Sequence, residues 1–119
     1  MPNQDNQGNR QLMLLLLERK WGKLLISSQV LSDLLKDPAI SRLQIETTLR
    51  ANGLERELLL ARHDQIQNGS NFNFPNESTI KELREAINNL ETVIARTAAV
   101  NDLIQATNGL ISTMQASKI

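Results

Sequence analysis

Apolar residues in the first third of the chain recur at intervals of three and four. The series, with one serine in it, is Leu14, Leu17, Trp21, Leu24, Ser28, Leu31 and Leu35. This spacing predicts an amphipathic helix over about residues 11–36, and further leucines beside the series widen its apolar stripe. We expect the helix to end before Pro38, whose ring disfavours helical geometry in the preceding residue.

A second helix is predicted over about residues 39–68. Its expected inward positions are Ile40, Leu43, Leu54, Leu58 and Ala61. Other apolar residues are spread around them, namely Leu49, Leu59, Leu60 and Ile66. The dipeptide Asn52-Gly53 is typical of turns, and glycine inside a helix costs about 1 kcal/mol relative to alanine. Both an unbroken helix and a break at this dipeptide therefore remain open.

A third and longer helix is predicted over about residues 77–117. Asn76 or Thr79 can cap its N-terminus, because such side chains accept hydrogen bonds from free backbone N–H groups. Its apolar stripe shifts to another face near Thr97. An unbroken helix of this length would measure about 60 Å, against about 36 Å for the first helix.

These three segments predict an all-α fold, a three-helix antiparallel bundle with a long C-terminal helix. The polar residues 1–10 are expected to form a flexible N-terminal leader, and residues 11–117 one bundle domain. A break at Asn52-Gly53 would make the bundle a four-helix arrangement.

The segment of residues 68–76 is the clearest loop, because glycine, serine, asparagine and proline cluster there. Phe72 and Phe74 are the only phenylalanines of the chain. One interpretation is that both rings pin the loop onto the end of the bundle, and the other is that they anchor a partner.

The C-terminal segment has no charged residue between Asp102 and Lys118. Uncharged surface is typical of the centres of protein interfaces, so this segment is our candidate partner-binding or self-association site. The alternative is that it completes the core of its own chain. Its candidate contact residues are Leu103, Ile104, Leu110, Ile111 and Met114.

Charge and composition exclude several classes of function. Lysine plus arginine equal aspartate plus glutamate, at 13 each, so no net charge draws the chain to nucleic acid or to anionic lipid. There is no cysteine for disulfide or thiolate chemistry. The longest apolar run, residues 12–17, is too short for a membrane span or a secretion signal. We therefore expect a cytoplasmic chain.

No catalytic, cofactor or metal site is predicted. His63 is the only histidine, and the nearby carboxylates lack the spacing of a known metal motif. Glu55 and Glu57 alternate with arginine in the manner of a solvated face, and the stem of Lys20 is expected to cover apolar surface. Trp21 is expected in the core, with an interface role as its alternative.

The sequence thus favours a non-enzymatic helical protein-binding module. Its most concrete form is a small chaperone or adaptor for a secreted or assembled protein. A structural subunit that self-associates, as a homodimer or a larger assembly, is the alternative. A phosphotransfer protein that uses His63 ranks third.

Overall fold

The chain folds into helices throughout the part that the structure describes. The computed structural model describes residues 2–38, 40–69, 71–96 and 99–114, with the backbone alone for residues 2–7. Within these ranges there is no strand, and the helices are α1 (Pro2–Leu34), α2 (Arg42–Gln67), α3 (Glu77–Ala95) and α4 (Val100–Ser112). The prediction of an all-helical fold is confirmed, whereas the count of three helices is wrong.

The additional helix does not come from the Asn52-Gly53 dipeptide. Helix α2 runs through it without interruption, because the Asn52 side chain donates to the Leu24 carbonyl oxygen of α1 at 2.8 Å instead of forming a local turn. The break lies instead in the predicted third helix. Helix α3 ends at Ala95 and α4 begins at Val100, so no long C-terminal helix forms.

The first helix is longer than predicted. It begins at Pro2, so the described part of the predicted flexible leader continues the helix. Proline is well suited to a first helical turn, since its missing N–H would have no partner there. The Arg10 guanidinium donates to the Ile66 carbonyl oxygen and ties this region to the end of α2. The predicted end of the third helix at residue 117 lies outside the described residues.

Side-chain contacts fix the directions of the helices. Helix α2 runs antiparallel to α1, since Arg10 meets Ile66 and Lys20 meets Glu55. Helix α3 runs parallel to α1, and its Glu91 pairs with Lys23 at 2.5 Å. Helix α4 returns antiparallel to α1. Helix α1 contacts the other three helices, while α2 and α3 do not contact each other anywhere in the described chain.

The core lies along one seam of each helix. In α1 the seam follows Met13, Leu17, Leu24 and Leu31, and Lys20 lies on it between two leucines. Trp21 lies beside this seam and is half-buried, so the inner stripe is rotated by about one residue from the predicted series. The buried apolar residues are Met13, Leu16, Leu17, Leu24, Leu31, Ile45, Leu59, Ile66, Ile80, Leu83, Ile87, Leu90, Val93, Leu103, Ala106 and Leu110.

The start of α3 confirms one of the two predicted caps. The Asn76 side-chain oxygen accepts a hydrogen bond from the Thr79 backbone N–H at 2.8 Å. We expect Asn76→Ala to lower the free energy of unfolding by about 1 kcal/mol, because one backbone donor loses its acceptor. Urea unfolding measures the change, and Asn73→Ala in the same exposed loop is the control. Equal stability of the two variants would contradict the capping role.

Candidate functional site

The predicted partner-binding residues of the C-terminal segment lie mostly inside the bundle. Leu103 and Leu110 belong to the core, with 4% and 0% of their surface exposed. Ile104, Ile111 and Met114 are half-buried and pack against that core. Helix α4 therefore completes the core of its own chain, which was the alternative interpretation. A partner-binding role for these five residues stays a prediction, and Leu103 and Leu110 are inaccessible while α4 stays in place.

The two phenylalanines of the loop also pack against their own chain. Both rings are half-buried on the core. The Arg10 guanidinium lies 5.4 Å from the centre of the Phe72 ring, a distance that suits a cation–π interaction. This arrangement corresponds to the interpretation of the rings as pins for the loop. Their role as an anchor for a partner stays a prediction.

Helix α2 presents apolar residues to solvent and polar residues to the core. Leu43, Leu54 and Leu58 are 74%, 58% and 44% exposed. These three leucines and Ala61 were predicted to point inward, so that prediction is wrong. We define the outer face of α2 as the exposed residues at helical spacing Leu43, Thr47, Arg50, Leu54, Leu58 and Ala61.

The outer face of α2 borders a groove between α2 and α4. This groove has a volume of about 560 Å³, and its walls include Leu43, Thr47 and Ile104. Ile104 is thus the one member of the predicted C-terminal set that meets an exposed α2 leucine in this groove. The outer face of α2 and this groove together form the candidate site, which can bury apolar surface of another protein.

The inner face of α2 carries a buried polar cluster beside the apolar residues Ile45, Leu59 and Ile66. The Lys20 ammonium is fully buried and lies 2.9 Å from Glu55 Oε2. It also donates to the carbonyl oxygens of Ile111, Thr113 and Met114 at 3.3, 2.6 and 3.2 Å. The Ile111 carbonyl belongs to the last turn of α4 and the other two directly follow the helix, where a cation is favourable. Lys20 therefore joins α1, α2 and the end of α4.

Burial dominates the electrostatics of Lys20. Removal from water lowers the pKa of its ammonium below the ordinary lysine value, while the hydrogen bond and the charge of Glu55 act in the opposite direction. The interpretation of Lys20 as a surface stem and of Glu55 as a solvated carboxylate is therefore wrong. The sequence did indicate that Lys20 is buried. It lies three residues after Leu17 and four before Leu24, which is the spacing of the buried side of a helix.

Three further hydrogen bonds extend the buried polar cluster along the bundle. The hydroxyl groups of Ser27 and Thr107 are hydrogen-bonded to each other and join α1 to α4. Asn52 donates to Leu24 of α1 and accepts from Arg56 Nε at 2.8 Å. Since buried polar groups are costly unless they are paired, the hydrogen bond of Asn52 to α1 helps to fix which face of α2 lies inward.

His63 lies at the boundary of α1 and α2, and its role in phosphotransfer stays a prediction. Its Nε2 lies 2.8 Å from Glu18 Oε2 across the α1–α2 boundary, and both side chains reach solvent. Beside them is an apolar groove of about 300 Å³ that includes Trp21 and Leu60. The indole N–H of Trp21 is buried and has no hydrogen-bond partner among the described residues.

The described residues also bear on two other classes of site. They hold no group of three or more histidine, aspartate or glutamate side chains that is placed to bind a metal ion. No helix in that part of the chain combines the length and the apolar character needed to cross a membrane. Comparisons of the chain with known protein families, with curated proteins and with solved structures found no match.

Proposed function

We propose that this chain is a non-enzymatic helical protein-binding module, most concretely a small chaperone or adaptor for a secreted or assembled protein. The observation that supports this proposal is the exposure of Leu43, Leu54 and Leu58 on a helix that buries several polar side chains on its inner face. Full burial of an exposed leucine is worth about 1.5–3 kcal/mol, and each of these three partly exposed leucines forgoes a part of that free energy. Exposed apolar patches of this kind mark surfaces that other proteins cover.

The mode of binding is helix packing on the outer face of α2. A helix laid along this face buries Leu54 and Leu58, which lie one turn apart, and reaches Leu43 and the groove that contains Ile104. The contact needs no rearrangement of the core, because the buried polar cluster holds the opposite face of α2 in place. Leu103 and Leu110 then support the site from below.

Photo-crosslinking from the outer face of α2 tests this function. Leu54 is replaced with the photoreactive residue p-benzoylphenylalanine, the chain is expressed in its native host, and covalent adducts are identified by mass spectrometry. We expect adducts with protein, either a second copy or a different chain, because the side chain at this position is covered in the bound state.

The matched control carries the same photoreactive residue in place of Glu82, an exposed residue of α3. We expect that position to give few adducts, since its side chain lies away from the outer face of α2. Equal yields from positions 54 and 82 would reject the outer face of α2 as a protein-binding surface.

A further inference from the structure

The outer face of α2 carries charges as well as leucines, and their order identifies a partner. Arg50 lies four residues before Leu54, and Glu57 lies three residues after it. The two charged residues are seven positions apart, which is about two helical turns, so they lie on the same side of the face. Neither has an ion-pair partner within the described residues.

We propose that the outer face of α2 binds a second copy of this chain, with the two α2 helices antiparallel and a twofold axis at Leu54. This inference rests on the proposed function and names its partner. Leu54 lies at the middle of the 26-residue helix, so an axis there pairs the two helices over their whole length. In a twofold interface every contact occurs twice.

The twofold axis brings opposite charges together. Arg50 lies four residues before the axis and Glu57 lies three residues after it. The axis therefore places Arg50 of each copy beside Glu57 of the other copy. Within one chain the two residues are about 10.5 Å apart along the helix axis, which is too far for an ion pair. The pairing is therefore available only between copies, and a parallel arrangement would place each charge beside its own kind.

The same axis brings the leucines to the centre of the contact and smaller side chains to both sides of them. Leu54 meets Leu54 of the second copy at the centre, and Leu58 meets Ala51. Thr47 meets Ala61, which leaves room for two helix backbones to approach closely. All of these residues except the half-buried Ala51 are exposed in the single chain, so the helices pack without opening the core.

The charges also argue against a membrane surface as the occupant of this face. Helices that lie on anionic lipid carry lysine and arginine beside their apolar face. The outer face of α2 instead contains Arg50 and has Glu57 and Glu46 at its border, and Glu46 pairs with Arg42 of the same helix. A border with charges of both signs fits a protein surface that presents the opposite charges in the same positions. A second α2 helix in the antiparallel direction presents them.

Sedimentation equilibrium over a range of concentrations tests the proposal on the full chain. We expect the wild type to form dimers. We expect Leu54→Glu to raise the dissociation constant at least about a hundredfold, because the substitution places two carboxylates at the axis. The control is Leu15→Glu on α1, where the leucine is similarly exposed at 52%. It is expected to change the constant less than about twofold.

Charge reversal makes the test specific for the antiparallel arrangement. Arg50→Glu and Glu57→Arg are each expected to raise the dissociation constant about tenfold, since each replaces two attractions with two repulsions. The double variant that carries both substitutions restores opposite charges across the axis and is expected to return to the wild-type value. Circular dichroism checks that every variant keeps its helix content.

Three outcomes overturn the proposal. They are a wild type that stays monomeric up to ~1 mM, a double charge reversal that dimerises no better than the single variants, and a Leu15→Glu effect as large as that of Leu54→Glu. A monomeric wild type whose residue 54 still crosslinks to a different protein would refute the second copy and leave the proposed function intact. Loss of both self-association and crosslinking would refute both.

Discussion

Replacing Lys20 with methionine is expected to lower the free energy of unfolding by about 3–5 kcal/mol, the usual cost of removing one member of a buried ion pair. Methionine fills a similar volume but leaves the Glu55 carboxylate in the core without its cation. It also removes the donor that binds the carbonyl oxygens of Ile111, Thr113 and Met114, in the last turn of α4 and directly after it. Urea unfolding followed by circular dichroism measures the loss.

Two further variants separate the cost of losing the Lys20 cation from the cost of lost packing. The double variant Lys20→Met with Glu55→Met removes both charges and is expected to be more stable than Lys20→Met alone. Lys23→Met removes an ammonium that pairs with the largely exposed Glu91, so little change is expected there. A double variant that is less stable than Lys20→Met would show that the ion pair is not the source of the cost.

The pH dependence of the stability difference between wild type and Lys20→Met checks the protonation state of Lys20. Since burial lowers its pKa in the folded chain, the unfolded chain holds this proton to higher pH. Between the lowered pKa and the ordinary value of about 10.4, the contribution of Lys20 to the free energy of unfolding therefore rises with pH. The stability difference between wild type and Lys20→Met should widen across that alkaline range. A difference that narrows there would mean that Glu55 raises the pKa of Lys20 overall.

Local signals in the sequence were enough to predict most helices and loops. Pro38 marked the connection between α1 and α2, and Asn76 marked the start of α3. Gly69, with a φ of 95°, marked the end of α2, since glycine adopts this left-handed conformation without strain. Each of these features depends on residues that are neighbours in the chain, which is why pattern alone predicts them.

The break between α3 and α4 has no such local signal. The connection contains neither glycine nor proline, and its Arg96 and Ala99 are compatible with a helix. The reason for the break is tertiary, because α4 must reverse direction to bring Leu103 and Leu110 into the core. The shift of the apolar stripe near Thr97 was the one trace of this in the sequence, and residue 97 itself lies outside the described residues.

The orientation of α2 was beyond prediction for a different reason. Both of its faces contain leucines, so hydrophobic spacing alone does not choose between them. The choice depends on Lys20 and Asn52, which find their partners 35 and 28 positions away in the chain. Burying Glu55 beside Lys20 turns Leu54 and Leu58 toward solvent, so the candidate binding site is a consequence of the buried polar cluster.

A pair of leucine truncations measures that orientation directly. Leu59 is 1% exposed and Leu54 is 58% exposed, although they lie only five positions apart on α2. We expect Leu59→Ala to lower the free energy of unfolding by about 2–5 kcal/mol, because it removes buried apolar surface and leaves a cavity. Leu54→Ala should change it by no more than about 0.5 kcal/mol. Urea unfolding at low protein concentration measures both, so that self-association does not add to the stability of either variant.

The conservative variant Leu59→Met provides the matched control for this pair. It keeps most of the buried volume, so its cost should stay below about 1.5 kcal/mol. If Leu54→Ala were the more damaging truncation, α2 would have its predicted orientation, with Leu54 inward. Glu55 would then lie away from Lys20, and the exposed leucines that support the binding site would belong to the core. The order of the two alanine variants therefore tests the fold and the candidate site in one measurement.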